Sequence, residues 1–214
     1  MEYFISDLHL FHENCLRFDN RPFKNLEEMH NTIVKNWNEK INNDDTVYIL
    51  GDISMRGTNL ELIKLVSTLK GRKILIKGNH DQVKDYRYQQ LFQEIVDYKE
   101  IKTSLPNENE PNARLSVNVV LSHYPILMWK NQRRGYVHLY GHVHNSIEEV
   151  NFQDTISKIN NGDFDDGIHS RRAGDNPLKA YNVGCMMPWM HYCPKSLEEI
   201  IISYEFTKSI NYRS

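Results

Sequence analysis

The sequence predicts an α/β fold, and two observations carry that expectation. Short apolar, β-branched runs recur at Tyr3-Phe4-Ile5, Val47-Tyr48-Ile49-Leu50, Ile74-Leu75-Ile76, Val117 to Leu121 and Val137-His138-Leu139-Tyr140. Runs of this kind read as strands. Between the first of them lie segments whose apolar residues return at helical spacing, and strand alternating with helix is the pattern of an α/β sheet.

Taken in chain order, the run at Tyr3 leads into Asp7-Leu8-His9, and Leu26, Met29, Ile33, Trp37 and Ile41 then fall on one face of an amphipathic helix. Asp44-Asp45 turns the chain into the strand that ends at Asp52. A second helix is expected from Leu60 to Leu69, with Thr58 or Asn59 as the N-cap and Gly71 just past its end. A third is expected from Val83 to Glu94, followed from Ile95 to Leu121 by two strands joined through the polar turn Pro106 to Ala113. Lys179 to Val183 resumes a strand, and Ser196-Leu197-Glu198-Glu199 reads as a capping box opening a short helical turn. The segment from Asn145 to Asn176 has weak periodicity and mixed charge, and is expected to be a lid or insertion. Its run Asn160 to Gly167 lacks the terminal glutamate of a calcium loop and reads as solvated.

At 214 residues the chain is long enough for one core, so a single domain over residues 1–214 is expected. A formal net charge of -2 gives no electrostatic reason to expect a dedicated nucleic-acid binder, and a nucleic-acid partner stays open but unsupported. The chain runs straight into its first strand without a basic and apolar leader, and no stretch approaches the roughly 18 apolar residues of a membrane span. A cytoplasmic protein without membrane contact is the expectation. Cys15, Cys185 and Cys193 match no metal spacing and no disulfide framework, in keeping with a reducing compartment.

The chemistry lies in phrases at the strand ends: Asp7-Leu8-His9, Gly51-Asp52, Gly78-Asn79-His80-Asp81, Ser122-His123 and Gly141-His142-Val143-His144. In an extended segment the side chains at i and i+2 share a side, so Asp7 with His9 forms a clamp, and His142 with His144 can serve adjacent ions. A divalent ion takes about four to six ligands and a catalytic one keeps a position open. Asp7, His9, Asp52, Asn79, His123, His142 and His144 are therefore too many for one open site. With Asp52 bridging, each of two ions gains about four protein ligands, and paired ions about 3.5 to 4 Å apart suit in-line attack on phosphorus. Oxygen and imidazole donors without thiolate point to divalent transition metals rather than calcium or magnesium.

The order D-x-H, G-D, G-N-H-D, a lone histidine and G-H-x-H, from Met1 to about His144 with Asn182-Val183-Gly184 afterwards, resembles the calcineurin-like metallophosphoesterase superfamily. The opening Asp7 to Asn14 followed by Arg21-Pro22-Phe23 is similar to a subgroup of small bacterial and phage phosphoesterases. The resemblance implies a four-layer α/β/β/α sandwich with a dinuclear site at the strand ends. One ion would take Asp7, His9, Asp52 and His144, and the other Asp52, Asn79, His123 and His142. His80 matches the family's catalytic histidine, with Asp81 placed to orient its ring. The implied reaction is hydrolysis of a phosphomonoester or phosphodiester, with a small-molecule phosphate ester as the expected substrate, by attack of a hydroxide bridging two divalent cations, manganese being favoured and iron, nickel or zinc the alternatives. Candidate substrate contacts are His12, Arg56, Arg171 and Arg172, while Lys130, Arg133 and Arg134 form a basic cluster more simply read as a solvated turn. Protein phosphatases of the superfamily place an aspartate where this chain has Met55, which argues against that activity. A nuclease of the same fold and a metal-stabilised binding module without turnover remain as other readings.

Overall fold

The expected apolar runs form two sheets. In the computed structural model, which describes residues 1–55, 59–107, 110–166 and 174–211, β1 (Glu2–Ile5) is followed by a one-turn helix α1 (Cys15–Phe18) and by α2 (Leu26–Lys40). Then come β2 (Thr46–Ile49), α3 (Leu60–Ser67), β3 (Arg72–Ile76), the short α4 (Tyr86–Gln89) and β4 (Glu94–Val96). These four strands make a parallel sheet in sequence order. Parallel strands need helical crossovers, which bury them on both faces. Phe4, Ile5, Val47, Ile49, Leu75 and Ile76 are accordingly fully buried.

The second sheet is mixed. β5 (Tyr98–Asn107) and β6 (Glu110–Ser122) form an antiparallel hairpin, after which β7 (Val137–Tyr140) and β8 (Lys179–Asn182) add in parallel. α5 (Ile147–Asn161) joins β7 to β8, and α6 (Leu197–Asn211) closes the described chain. Strand alternation divides this sheet between two apolar clusters. Val119, Leu121, Val137, Leu139 and Tyr181 join the main core with the first sheet, α2 and α3. Val120, Tyr140 and Ala180 turn the other way, onto Ile156, Phe152 and Ile159 of α5. Helices therefore flank two stacked sheets, as the expected sandwich requires.

Side-chain caps open the main helices. The Asn25 side chain accepts from Glu28 N–H, and that of Asn59 from Leu62 N–H. Ser196 and Glu199 form the capping box, with Ser196 N–H donating to Glu199 Oε2 at 2.8 Å, but the helix it opens runs to Asn211 rather than one turn. Two expectations need correction. The helix expected from Val83 to Glu94 is only Tyr86–Gln89, and Glu94–Val96 pairs with β3 as an edge strand, because sheet pairing outweighs propensity there. Within the segment 145–176, residues Ile147–Asn161 are a helix with Glu149 and Ile156 buried, so that part is a layer of the fold and not a lid. Of the remainder, residues 167–173 lie outside the described residues, and with them Arg171 and Arg172; Arg56 does too. Among the described residues no helix is long and apolar enough to cross a membrane.

Candidate metal centre

The candidate ligands lie just beyond the strand ends, not within extended segments as the i, i+2 argument supposed. Asp7, His9, Asp52, His142 and His144 all have positive φ, at 55°, 48°, 53°, 71° and 50°. Left-handed backbone is uncommon for residues other than glycine and persists only where surroundings over-determine it. Here the surroundings are two loops laid side by side, with Asp7 N–H bonded to the Gly51 carbonyl and His9 N–H to that of Asp52. Gly51 itself has φ +88°, and a Cβ there would overlap His123 Nδ1 and lie 2.7 Å from Gly78 Cα. Only glycine lets the three ligand loops approach so closely.

Two clusters result, each with ligand atoms mutually within 4.8 Å: Asp7, His9 and His144 in one, Asp52, His123 and His142 in the other. Asp52 lies between them, its Oδ2 being 4.0 Å from His9 Nε2 and 3.5 Å from His123 Nε2. Its Oδ1 is engaged by His80 N–H at 3.0 Å. Asn79 Oδ1 stands 3.0 Å from His123 Nε2 and so joins the second cluster. Asp7, His9, Asp52 and His123 are buried.

The donor set fits metal ions. His123 Nδ1 bonds to the Leu50 carbonyl at 2.8 Å and His144 Nδ1 to Asp19 Oδ1 at 2.6 Å, which commits one nitrogen of each ring and turns Nε2 toward the cluster. His9 Nε2 and His144 Nε2 face each other at 3.0 Å, and Asp7 Oδ1 is 3.7 Å from the latter. His142 Nδ1 is buried with no hydrogen-bond partner among the described residues. Converging lone pairs of this kind suit a cation. Burial, aided by His144 and Arg21, holds the pKa of His9 down at about 2, so this ring is a neutral donor. Burial and then His123 also lower His142. For Asp7 burial raises the pKa over the opposing pull of His144. His144 is raised: burial opposes its charge, but Asp19 and Asp7 outweigh it.

The remaining candidates fall into different positions. His80 is half-buried, its ring centroid 6.2 Å from that of His9. Asp81, expected to orient His80, instead accepts backbone N–H groups from Asp52 and Gly78 at 2.9 Å and from Ile53 at 3.0 Å. It clamps two ligand loops together. His12 is buried, with its ring 5.8 Å from His9 and 5.6 Å from the exposed Phe18. Phe18, Asp19, His142, Val143 and His144 line a cleft of about 340 Å³ beside the first cluster. Lys130 pairs with Glu100 at 2.8 Å and Arg133 with Asp175 at 3.5 Å, so neither stands as an uncommitted cation near the site. Asp19, which reaches His144 from the loop before Arg21, carried no motif signal; a carboxylate near a ligand phrase is too common to single out.

The family model described as calcineurin-like phosphoesterase matches residues 3–185. An uncharacterized protein of Methanocaldococcus jannaschii is 42% identical over 81 residues, 37% of this chain, and the match spans only 46% of that protein. The gene 66 protein of Mycobacterium phage L5 is 30% identical over 166 residues, 68% of this chain and 78% of the phage protein. A solved structure of a protein of unknown function from Aquifex aeolicus aligns with a TM-score of 0.51 and 25% identity, covering 91% of this chain and 94% of that one.

Proposed function

The chain belongs to the calcineurin-like phosphoesterase family, and on that premise we propose that it is a two-metal hydrolase of phosphomonoesters or phosphodiesters. The observation that carries the reading is Asp52 Oδ2, within 4.0 Å of His9 Nε2 and within 3.5 Å of His123 Nε2, in reach of both donor clusters at once. Asp7, His9, Asp52 and His144 would hold one ion; Asp52, Asn79, His123 and His142 the other. Bound there, two divalent transition-metal cations would supply Lewis acidity and a water of lowered pKa.

The chain's own residues do the rest. Asn79 is a neutral donor, so the second position carries less negative charge than a carboxylate would give it. His80, tethered through its backbone N–H to Asp52, would protonate or stabilise the leaving oxygen. Asp81 holds the Asp52 and Gly78 loops at a fixed separation, and this is the role its three backbone bonds support. The cleft beside Phe18 and Val143 is of a size for the organic part of a small phosphate ester.

The test is elemental analysis combined with hydrolysis of p-nitrophenyl phosphate and bis-p-nitrophenyl phosphate by manganese-loaded protein. About two ions per chain and turnover of at least one ester are expected, with the preferred ester defining the class. Asp52→Asn and His142→Ala should each lose at least one ion together with activity. A single ion per chain, unchanged by either substitution, would sink the two-metal reading; two ions without turnover of either ester would favour a binding module.

A further inference from the structure

We propose that Asp19 and Arg21 are positioning residues for one ion only: together they fix the His144 ring and the Asp7–His9 loop, giving the first cluster a carboxylate-backed ligand that the second cluster lacks among the described residues. The proposal rests on the reading of the two clusters as a two-ion centre.

Asp19 divides its two oxygens. Oδ1 accepts from His144 Nδ1 at 2.6 Å, while Oδ2 takes Arg21 Nε at 2.9 Å and Nη2 at 2.7 Å. The same guanidinium reaches the backbone beneath the ligands, with Nη1 on the Leu8 carbonyl and Nη2 on the Asp7 carbonyl, both at 2.9 Å. One planar group thus holds the backbone between Asp7 and His9 and, through Asp19, the third member of the cluster. Lysine could not reproduce this fork.

Burial makes the arrangement costly: the Arg21 side chain is 0% exposed and that of Asp19 3%. A buried ion pair is weak as a stabilising device, since its desolvation offsets its attraction. Its geometric consequence is specific, however. Asp7, His9 and His144 all sit in left-handed backbone that needs external constraint, and each is held directly or through one neighbour by this pair. With Nδ1 committed to a carboxylate, His144 directs Nε2 at the cluster as a more basic donor. In the second cluster His123 Nδ1 meets a backbone carbonyl, that of Leu50. The two ion positions are therefore chemically unequal, and the one at Asp7, His9 and His144 depends on Asp19.

The test is calorimetric titration of metal-free protein with Mn²⁺, in the wild type and in Asp19→Asn and Arg21→Lys, together with the visible spectrum after loading with Co²⁺ and the melting temperature of each metal-free protein. Two binding events are expected in the wild type. Asp19→Asn should weaken one of them by about 10- to 100-fold, leave the other within about threefold, and alter only part of the cobalt spectrum. Arg21→Lys should weaken the same event, which keeps the proposal testable if one variant does not fold. Unchanged affinities would overturn it, as would equal weakening of both events alongside a lower metal-free melting temperature, the signature of a purely structural pair. Failure of the wild type to bind two ions would instead remove the two-ion centre itself, whatever the variants do.

Discussion

Acidification should weaken the fold through His138, a residue outside the metal clusters that ties down the loop following His123. Its ring is fully buried on β7, with Nε2 accepting the Ile126 N–H at 3.0 Å and Nδ1 bonded to the Val120 carbonyl at 3.2 Å. Trp129 and Tyr140 flank it, and the Tyr140 hydroxyl is engaged by the Glu149 carboxyl at 2.8 Å. Burial pushes the His138 pKa down to about 4, the bonds to backbone opposing it only in part. An unfolded histidine titrates near about 6.5. The unfolded chain therefore takes up this proton as pH falls through about 6.5, while the folded chain refuses it until about 4. The stability is fully present above the unfolded value and is lost on the way down between the two. The whole gap corresponds to about 3 kcal/mol, and the portion between about pH 7 and about pH 5 to about 2 kcal/mol. Urea unfolding of chelator-treated protein, followed by circular dichroism at both pH values, measures it. His138→Gln, which keeps an acceptor and a donor but carries no titratable ring, should lose about 2 kcal/mol less than the wild type on acidification. Equal losses in the two proteins would refute the assignment of that acid sensitivity to His138.

Three further outcomes follow from the site. His80→Ala should retain both ions while kcat falls by about 10²-fold or more for an alkyl ester, and by less for a p-nitrophenyl ester whose leaving group needs no proton; equal falls would mean that His80 positions the phosphate instead. Gly51→Ala forces a Cβ into left-handed backbone and against His123, so its urea midpoint should drop by the equivalent of about 1–2 kcal/mol or more, with fewer ions retained on elemental analysis. Asp81→Asn leaves backbone donors of the ligand loops facing an amide nitrogen, and should destabilise by about 1–3 kcal/mol and lower ion content; a normal melting temperature with altered leaving-group dependence would return Asp81 to a role on His80.

The parts of this molecule legible in its sequence are those where local and global preferences agree. Val47 to Leu50 and Ile74 to Ile76 are apolar, rich in β-branched residues, continuous and buried on both faces, so periodicity and packing say the same thing. Asn59 and Ser196 mark helix starts because each cap is a bond between near neighbours in the chain. Where the structure departs, a contact distant in sequence decides. Glu94–Val96 is a strand because β3 offers it an edge. α5 was hidden because polar residues alternate with its buried ones, and even a carboxylate, Glu149, turns inward onto Tyr140 and Asn182 across 9 and 33 residues of sequence.

The ligand phrases were legible for the opposite reason. They break local preference: aspartates and histidines in left-handed backbone beside glycines that admit no side chain. Such strain survives only if other parts of the fold hold it, and its presence marks function more than stability. What a motif cannot contain is the holding itself. Asp81 bridges the Asp52 and Gly78 loops, and Arg21 and Asp19 reach from the Asp7 carbonyl to the His144 ring, the Asp19–His144 bond alone joining residues 125 positions apart. Each cluster also draws from both sheets, with Asp7 and His9 following β1 and His144 following β7, and with Asp52 following β2 while His123 and His142 follow β6 and β7. The site is thus specified twice, once by short phrases that supply donor atoms and once by buried polar bonds between the two sheets that give those atoms a common centre.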